Sequence, residues 1–371
     1  MIHNILMMPY GIYGRFYKHL GRYDFLDIME QENEEIPLYE QKKVQEVKGS
    51  YYIYLPKKWC NKYVETKKRV YLQQLSDDSL LIRPSINGEL IQAEYFIDLD
   101  EPNKHPLDVD KSEYLDYLFN QFLTAYLIGF YRIRIKKRDI SLKLRKKFME
   151  MTRTFYGMEI VSEIENEIII EDVGSSLDIR QLMRQILSRV EILMETYINI
   201  ARKEEYEDLD EIIEQDSQID QHRYAIERQV HRILEFPSLG HTAKLTAIEC
   251  LHLGQVAKIV ERIGDYITKL SKQLKEQKIT NKDEVLYHLQ NMHQVFHTIQ
   301  DYFEREDSLQ YFHLIKMVAG FSDTTKEILL KGHPDANFLS YIRRVKNMCA
   351  DIAEIRINDI LYRKRFRNDV I

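Results

Sequence analysis

The chain has 371 residues, of which 44% are hydrophobic, 11% aromatic and 30% charged. This length suits two or three domains of about 100–200 residues each, and the apolar content is typical of globular domains with real cores. No apolar run approaches the roughly 20 residues of a membrane-spanning helix, and the N-terminus lacks the features of a secretion signal. We therefore expect a cytoplasmic protein without membrane insertion.

The three cysteines, Cys60, Cys250 and Cys349, are far apart in the sequence and odd in number. This pattern predicts neither a disulfide framework nor a zinc site built from cysteines, because both need closely spaced or paired thiols. We expect the three side chains to behave as small buried hydrophobic groups.

The net charge of −6 is unevenly distributed along the chain. Residues 1–40 carry three basic and seven acidic groups, whereas residues 41–90 carry ten basic and five acidic groups. The remaining residues are acidic again. A small basic module within an acidic chain is typical of a nucleic-acid-binding module attached to another domain.

The first 40 residues are rich in aromatic side chains and contain a short acidic run at Gln31–Glu35. So many aromatic residues are unusual in a plain disordered tail. We predict an N-terminal extension over residues 1–40 that docks on another surface. The aromatic residues are Tyr10, Tyr13, Phe16, Tyr17, Tyr23 and Phe25.

Residues 41–88 alternate short β-forming runs with turn signals. Strands are predicted at Tyr51–Leu55, Arg69–Leu72 and Ser79–Arg83, with a helical turn over Lys57–Lys62. Strands this short cannot cover their own edges and faces within one chain, so we expect a homodimer.

The lysines of this module are candidate DNA contacts. Contacts to backbone phosphates give salt-dependent affinity and carry little sequence information. In the alternative interpretation, the same lysines only keep the edge strands soluble. The candidates are Lys43, Lys48, Lys57 and Lys58, with Arg69 and Arg83 at the periphery.

Residues 89–175 have a mixed α/β pattern and contain no catalytic motif, which favours a spacer or interaction domain. Two helices are predicted, at Tyr114–Phe130 and Leu142–Phe155. Strands are predicted at Arg132–Ile135, Glu159–Ile164 and Glu167–Glu171, the last two joined at Glu165-Asn166.

From Ser176 onward the pattern is helical almost throughout. Breaks near Glu204, at Phe236–Gly240, around 278–283 and at 331–335 divide it into about six helices. Six helices arranged as two sets of three indicate an internal repeat of bundle units.

Two pairs of acidic residues stand out in the first of these sets. Asp216 and Asp220 are four residues apart, as are Glu261 and Asp265, so each pair shares one helix face. A turn at Phe236–Gly240 would bring the pairs together and place Asp216 at the height of Glu261. Four carboxylates repel one another unless a cation lies between them, and oxygen ligands suit Mg²⁺, Mn²⁺ or iron. The alternative is a solvated acidic face, with Arg223 and Arg262 pairing locally.

The stretch VKGSYYIYLPKKW, residues 47–59, places a glycine before a strand that ends in Leu-Pro-Lys, followed by one short helix. It resembles the AbrB/SpoVT-type swapped-hairpin DNA-binding domain, which residues 41–88 would cover. The helical half resembles PhoU, a phosphate-uptake regulator built from two three-helix repeats, here 176–280 and 281–371. Both acidic pairs fit that family's Glu/Asp-x-x-x-Asp metal-binding pattern. The order of the parts is similar to that of archaeal PhoU-like regulators.

The resemblance implies a multidomain α+β fold, with a small swapped-hairpin β domain, an α/β spacer over 89–175 and two PhoU-like three-helix repeats. It implies a non-enzymatic regulator of phosphate uptake that binds a metal ion (iron, manganese, magnesium or zinc) and no organic cofactor. The expected partners are DNA, a second copy of the chain, and a phosphate transporter's ATPase or a sensor protein.

The second set of helices departs from the family pattern. Arg343 and Asn347 stand where the pattern has Glu and Asp. Arg343 is expected to neutralise Asp323 or Glu327 by an ion pair in place of a metal, although an accidental surface pair explains the residues equally well.

Two other classes of function stay open. In the first, the β module only dimerises, and the protein regulates a transporter through protein contacts. In the second, the helices form a ferritin-like metalloenzyme, for which Glu249 and His252 have the required Glu-x-x-His spacing. That class needs two such motifs in one bundle, and the chain supplies one. We therefore expect His252 to be a packing or surface residue.

Overall fold

The computed structural model describes residues 41–65, 68–74, 79–84, 93–100, 112–174, 177–236, 239–240, 243–330 and 332–366. Within these ranges, residues 73, 112–113, 321–330 and 365–366 are described by their backbone alone. The predicted N-terminal extension, residues 1–40, lies outside the described residues. The chain divides into two compact units, residues 1–70 and 71–371. The predicted boundaries after residues 88, 175 and 280 stay predictions.

In the first unit, strands β1 (Gln45–Val47) and β2 (Ser50–Tyr52) form an antiparallel hairpin, followed by helix α1 (Lys57–Tyr63). Lys48 and Gly49 make the two-residue turn, with φ values of 55° and 79°. Tight hairpin turns of this kind need positive φ, which glycine adopts without strain. The turn therefore lies directly before the predicted strand, although that strand ends at Tyr52 and not at Leu55.

The second unit opens with another antiparallel hairpin, formed by β3 (Tyr71–Gln74) and β4 (Leu80–Arg83). Both strands lie where the alternation of β-forming residues predicts them. Leu72 and Leu80 are exposed on these strands.

A four-stranded sheet in the order β5-β6-β8-β7 follows. Strand β5 pairs in parallel with β6, and the other pairs are antiparallel. A parallel pair needs a crossover connection, which α2 supplies between β5 and β6. The elements are β5 (Glu94–Asp98), α2 (Ser112–Ile128), β6 (Arg132–Lys136), α3 (Leu142–Arg153), β7 (Met158–Ile164) and β8 (Glu167–Asp172).

This α/β part has its own hydrophobic core. Alternate residues of the central strands, Ile133 and Ile135 on β6 and Ile168 and Ile170 on β8, are fully buried. They belong to the same buried cluster as the aromatic side chains of α2 and α3. The predicted helices and three of its four strands are confirmed. The sequence analysis missed β5, whose five residues Glu-Tyr-Phe-Ile-Asp give too short an alternation to be recognised.

Six long helices form the remainder of the described chain, in agreement with the predicted number. Helix α4 ends at Glu204, which has a left-handed conformation with φ of 64°. The six are α4 (Ile179–Lys203), α5 (Leu209–Glu235), α6 (Ala247–Glu276), α7 (Lys282–Tyr302), α8 (Ser308–Leu330) and α9 (Ala336–Phe366).

Helices α4, α5 and α6 pack against one another, and so do α7, α8 and α9. Contacts of α4 with α7 and of α6 with α9 connect the two sets, and one continuous hydrophobic core runs through both. Among the residues that the structure describes, no helix combines the length and apolar character needed to cross a bilayer.

Candidate carboxylate site between α5 and α6

The structure brings together all four acidic residues predicted as metal ligands. Asp216 and Asp220 lie on α5, and Glu261 and Asp265 lie on α6. The helices approach closely at Gly264, because a Cβ atom there would lie 2.9 Å from Cδ1 of Ile219. A glycine between the acidic residues of α6 therefore lets the two backbones come near each other at the level of the carboxylates. We call these four residues the carboxylate site.

The register between the helices differs from the expected one by about one turn. The Thr268 hydroxyl donates to Oδ1 of Asp216 at 3.3 Å, and Asp265 acts on Asp216 electrostatically. Asp220 shares a side-chain hydrogen bond with Glu261. The prediction that Asp216 lies opposite Glu261 is wrong. Helix α5 ends at Glu235 and α6 begins at Ala247, so the connection is longer than the predicted five-residue turn. The longer connection changes which residue of α6 lies opposite Asp216.

Burial raises the pKa of every member of the carboxylate site, and repulsion between carboxylates adds to this for three of them. Burial is the largest cause for all four, and the neighbouring carboxylates act in the same direction on Asp216, Asp220 and Glu261. The raised pKa values of Asp220 and Glu261 indicate that this hydrogen-bonded pair retains a proton at pH values where free carboxyl groups have lost theirs. In that state the pair carries less charge than two separate carboxylates.

The Arg223 guanidinium lies beside the carboxylate site and partly neutralises it. Its Nε is 3.8 Å from Oε1 of Glu261, and its Nη1 donates to Glu227 at 2.7 Å. Glu227 also pairs with Lys258 at 2.9 Å. Since Arg223 is shared between two acidic neighbours, it offsets only part of the negative charge of the carboxylate site. Its local pairing agrees with the alternative interpretation of a solvated acidic face.

The donor set of the carboxylate site is suited to a hard cation, because all of its side-chain ligands are oxygens. Its carboxylate oxygens lie farther apart than the ligand atoms around a bound ion do. Among the described residues, the three donor atoms that lie within 4.8 Å of one another belong to Glu191, Glu195 and His293. No three carboxylates of the carboxylate site satisfy the same distance, so cation binding there would require side-chain rotation.

The C-terminal half of α5 is anchored to the α/β part. The Arg228 guanidinium is buried and donates to Oδ2 of Asp172 at 2.6 Å and to the Phe130 carbonyl at 3.1 Å. Nη1 of Arg232 lies 3.6 Å from the same Asp172 oxygen. Nδ1 of His231 lies 2.8 Å from the Leu127 carbonyl. Sequence analysis missed the contact of Arg228 with Asp172. The available signal was the place of Arg228 among the apolar positions of an amphipathic helix.

All four candidate DNA contacts are exposed. Lys48 lies at the tip of the β1–β2 hairpin, and Lys57 and Lys58 begin α1. Lys43 precedes β1. The same unit also exposes large apolar side chains, with Tyr51 73% and Tyr54 68% accessible. The other exposed members of this apolar set are Val44, Val47, Tyr52, Ile53 and Tyr63.

The remaining motifs have structural roles where they are described. Glu249 forms a capping box with Thr246 and receives an ion pair from Arg363 at 2.8 Å. Nδ1 of His252 lies 3.3 Å from Oδ1 of Asp359, which is consistent with the expected packing role. The Asp323 and Glu327 side chains lie outside the described part, so their pairing with Arg343 stays a prediction.

The three cysteines are free thiols. Cys250 and Cys349 are buried, as expected, and burial raises the pKa of the Cys250 thiol to about 12. Cys60 is only partly buried, because the short helix α1 has no fully buried residue.

Residues 179–274 match the family model of the PhoU domain. The match covers helices α4 to α6, includes the whole carboxylate site and extends over less than half of the chain. Among solved structures, the chain is similar to the crystal structure of the phosphate transport system regulatory protein PhoU from Streptococcus pneumoniae. That similarity has 15% sequence identity and a TM-score of 0.40, over 48% of this chain and 91% of that chain. No curated protein matches this chain.

Proposed function

We propose that this protein is a non-enzymatic regulator of phosphate uptake whose PhoU-like helices bind a metal ion and whose AbrB-type head contacts DNA. The observation that carries this proposal is the PhoU domain match over residues 179–274, because it includes the whole carboxylate site. The proposal includes a swapped-hairpin head, two three-helix repeats and assembly into a homodimer.

The electrostatics of the carboxylate site support cation binding. Partly buried carboxylates that retain a proton mark a place where negative charge is costly, and a cation relieves that cost more completely than a proton does. Asp216, Asp220, Glu261 and Asp265 would hold the ion. A bound ion would supply positive charge between α5 and α6, and oxygen ligands favour iron, manganese or magnesium over zinc.

Helix α5 offers a physical connection between the carboxylate site and the α/β part. Asp220, Tyr224 and Arg228 follow one another at four-residue spacing along this helix. Tyr224 belongs to the α/β core, and its ring lies 4.2 Å from the Arg223 guanidinium beside Glu261. A change in the α5–α6 distance would therefore reach the α/β part without an intervening loop. Regulation would follow if metal binding changes the population of two such arrangements.

The exposed surfaces of the first unit support the roles proposed for the head. Its lysines are accessible to phosphates, and Tyr51 and Tyr54 are apolar groups that a second copy of the chain would cover. Contiguous exposed apolar surface on a small unit is typical of an interaction site. A homodimer would also place two sets of lysines side by side on one duplex.

Fluorescence anisotropy with duplex DNA across a salt series tests the head. We expect the full chain to bind at low salt, with an affinity that falls steeply as salt rises, and the double variant Lys57→Glu, Lys58→Glu to lose binding. The matched control is Lys143→Glu, Lys146→Glu, which makes the same charge change at exposed positions on α3. Equal loss in both double variants would show a nonspecific charge effect and overturn the DNA-binding role.

Metal analysis of the purified protein tests the helical part. We expect metal in the unchanged chain, and its loss when Asp216, Asp220 and Asp265 are changed to Asn and Glu261 is changed to Gln. An unchanged metal content would contradict the proposed metal site.

A second candidate is a protein-interaction regulator of a phosphate transporter whose head serves only for dimerisation. The exposed tyrosines of the head favour it, because they suit a protein surface as well as they suit a dimer that reads DNA. Dimer formation without DNA binding at low salt would select this candidate.

A further inference from the structure

A second group of potential metal ligands lies between α4 and α7, separate from the carboxylate site. Glu191 and Glu195 are one turn apart on α4, and His293 and His297 are one turn apart on α7. The side chains of Glu191 and His293 are only 13% and 23% exposed. Glu195 and His297 lie more openly at the rim of the group. We call these four residues the mixed site.

The distances within the mixed site match those between ligands of one ion. Nε2 of His293 lies 3.7 Å from Oε1 of Glu191 and 3.5 Å from Oε1 of Glu195. These separations are long for a hydrogen bond, and the buried Nε2 makes none. In a tetrahedral zinc site with bonds of about 2.0–2.2 Å, neighbouring ligand atoms are roughly 3.4 Å apart. All three donor atoms lie within 4.8 Å of one another, so small side-chain movements would let them share one ion.

We propose that Glu191, Glu195 and His293 form a binding site for a divalent transition-metal ion of the zinc class. An imidazole nitrogen with two carboxylate oxygens suits zinc, cobalt, nickel or iron and is a poor donor set for Mg²⁺ or Ca²⁺. This chemistry distinguishes the mixed site from the oxygen-only carboxylate site. The proposal does not depend on the function proposed above.

His297 has a positioning role in this site. Its Nδ1 hydrogen-bonds directly to Oε1 of Glu191, and its Nε2 lies 3.5 Å from Oδ2 of Asp301. A histidine that holds a ligating carboxylate fixes the direction of the carboxylate's lone pairs. Removing such a supporting partner typically costs about 10–100-fold in metal affinity.

A cavity beside the ligands gives an ion a path from solvent. It has a volume of about 310 Å³, and both Glu195 and His293 line it. Three protein ligands leave a fourth tetrahedral position, which water from this cavity can fill. An ion bound here would cross-link α4 and α7 and so connect the first three-helix set to the second.

The test is a titration with Co²⁺ and then Zn²⁺ of the full chain in which Asp216, Asp220 and Asp265 are changed to Asn and Glu261 to Gln, so that the carboxylate site cannot contribute. Visible absorption reports tetrahedral Co²⁺, and calorimetry reports affinity. We expect one saturable equivalent, displaced by Zn²⁺. We expect Glu195→Gln and His293→Asn to abolish it and His297→Ala to weaken it by about 10–100-fold.

His313→Asn is the matched control, because His313 is exposed on α8 away from these ligands. We expect it to bind as the quadruple variant of the carboxylate site does. Glu195 lies at the rim, so its glutamine variant keeps the test valid even if His293→Asn fails to fold. The proposal is overturned if the quadruple variant shows no saturable binding, or if it retains binding when Glu195→Gln is added.

Discussion

The carboxylate site and the mixed site use the same geometry with opposite electrostatic consequences. Each is built from two pairs of side chains at four-residue spacing on neighbouring helices. In the carboxylate site all four groups are acids, burial raises the pKa of each, and repulsion adds to this for Asp216, Asp220 and Glu261. In the mixed site the imidazoles face carboxylates, so the groups already complement one another.

The difference shows that helical spacing determines where the ligands meet. Side-chain chemistry determines how much the metal-free arrangement of ligands destabilises the protein. A repulsive group of carboxylates is tolerated at the expense of stability. Imidazoles beside carboxylates do not repel one another, so the presence of this group is weaker support for a ligand than its distances are. The following predictions separate the two sites in order of expected effect.

Mg²⁺ is expected to act on the carboxylate site alone. At free Mg²⁺ about 100-fold above its Kd, the free energy of unfolding should rise by about 2.7 kcal/mol in the unchanged chain. The rise should vanish in the double variant Asp220→Asn, Glu261→Gln and persist in Glu195→Gln. Urea denaturation measures all three, and an equal rise in every protein would show that Mg²⁺ does not use the carboxylate site.

Replacing Glu261 with glutamine should stabilise the metal-free protein. A neutral amide can hydrogen-bond without the cost of ionising a buried carboxyl group beside other carboxylates, and we expect a gain of about 1–2 kcal/mol near neutral pH. Chemical denaturation in the presence of a chelator measures it. Glu214→Gln on the exposed side of α5 is the control and should change stability little. A loss of stability in Glu261→Gln would mean that the cluster is held together by its charges.

Stability of the metal-free protein should fall as pH rises. Raised pKa values mean that the folded state holds protons above about pH 4.5, where an unfolded glutamate has released its own. The contribution of the carboxylate site to the free energy of unfolding therefore decreases from that pH through neutrality, by at most about 1.4 kcal/mol per pH unit for each extra proton. Glu261→Gln should remove part of this decrease, which denaturation of both proteins at several pH values would measure. An equal pH dependence in the unchanged chain and the variant would contradict the raised pKa values.

In the mixed site, Glu195→Gln should change the stability of the metal-free protein by less than about 0.5 kcal/mol, because exposed ion pairs contribute little. Thermal unfolding in the presence of a chelator measures this difference. A large loss would indicate that the histidines and glutamates are a structural ion-pair group, which weakens the case for a ligand.

The sequence predicted the elements better than their contacts. The turn at Gly49, the strands around Glu165-Asn166 and the six long helices follow from local patterns of apolar, β-forming and turn residues. The four acidic residues were also predicted to meet, because α5 and α6 are consecutive and antiparallel. The register between the two helices was not predicted correctly. It depends on the length of the connection between α5 and α6, and the positions of Pro237 and Gly240 in the sequence do not reveal that length.

Contacts between elements distant in the sequence were not predictable in the same way. Glu191 and His293 are each visible as part of a pair at four-residue spacing, yet nothing local indicates that α4 packs against α7. The buried position of Arg228 was hidden for the same reason, since its partner Asp172 belongs to the α/β part. Tertiary packing decides both.

The anchoring of Arg228 also bears on how this protein can be dissected. Truncation at residue 176 would remove Asp172 and the Phe130 carbonyl from the Arg228 guanidinium and would expose the apolar surface around Tyr224 to water. Exposing buried apolar surface costs roughly 25 cal/mol per Å². The six helices alone are therefore a poor unit for isolated study, and limited proteolysis should release the α/β part and the helices together.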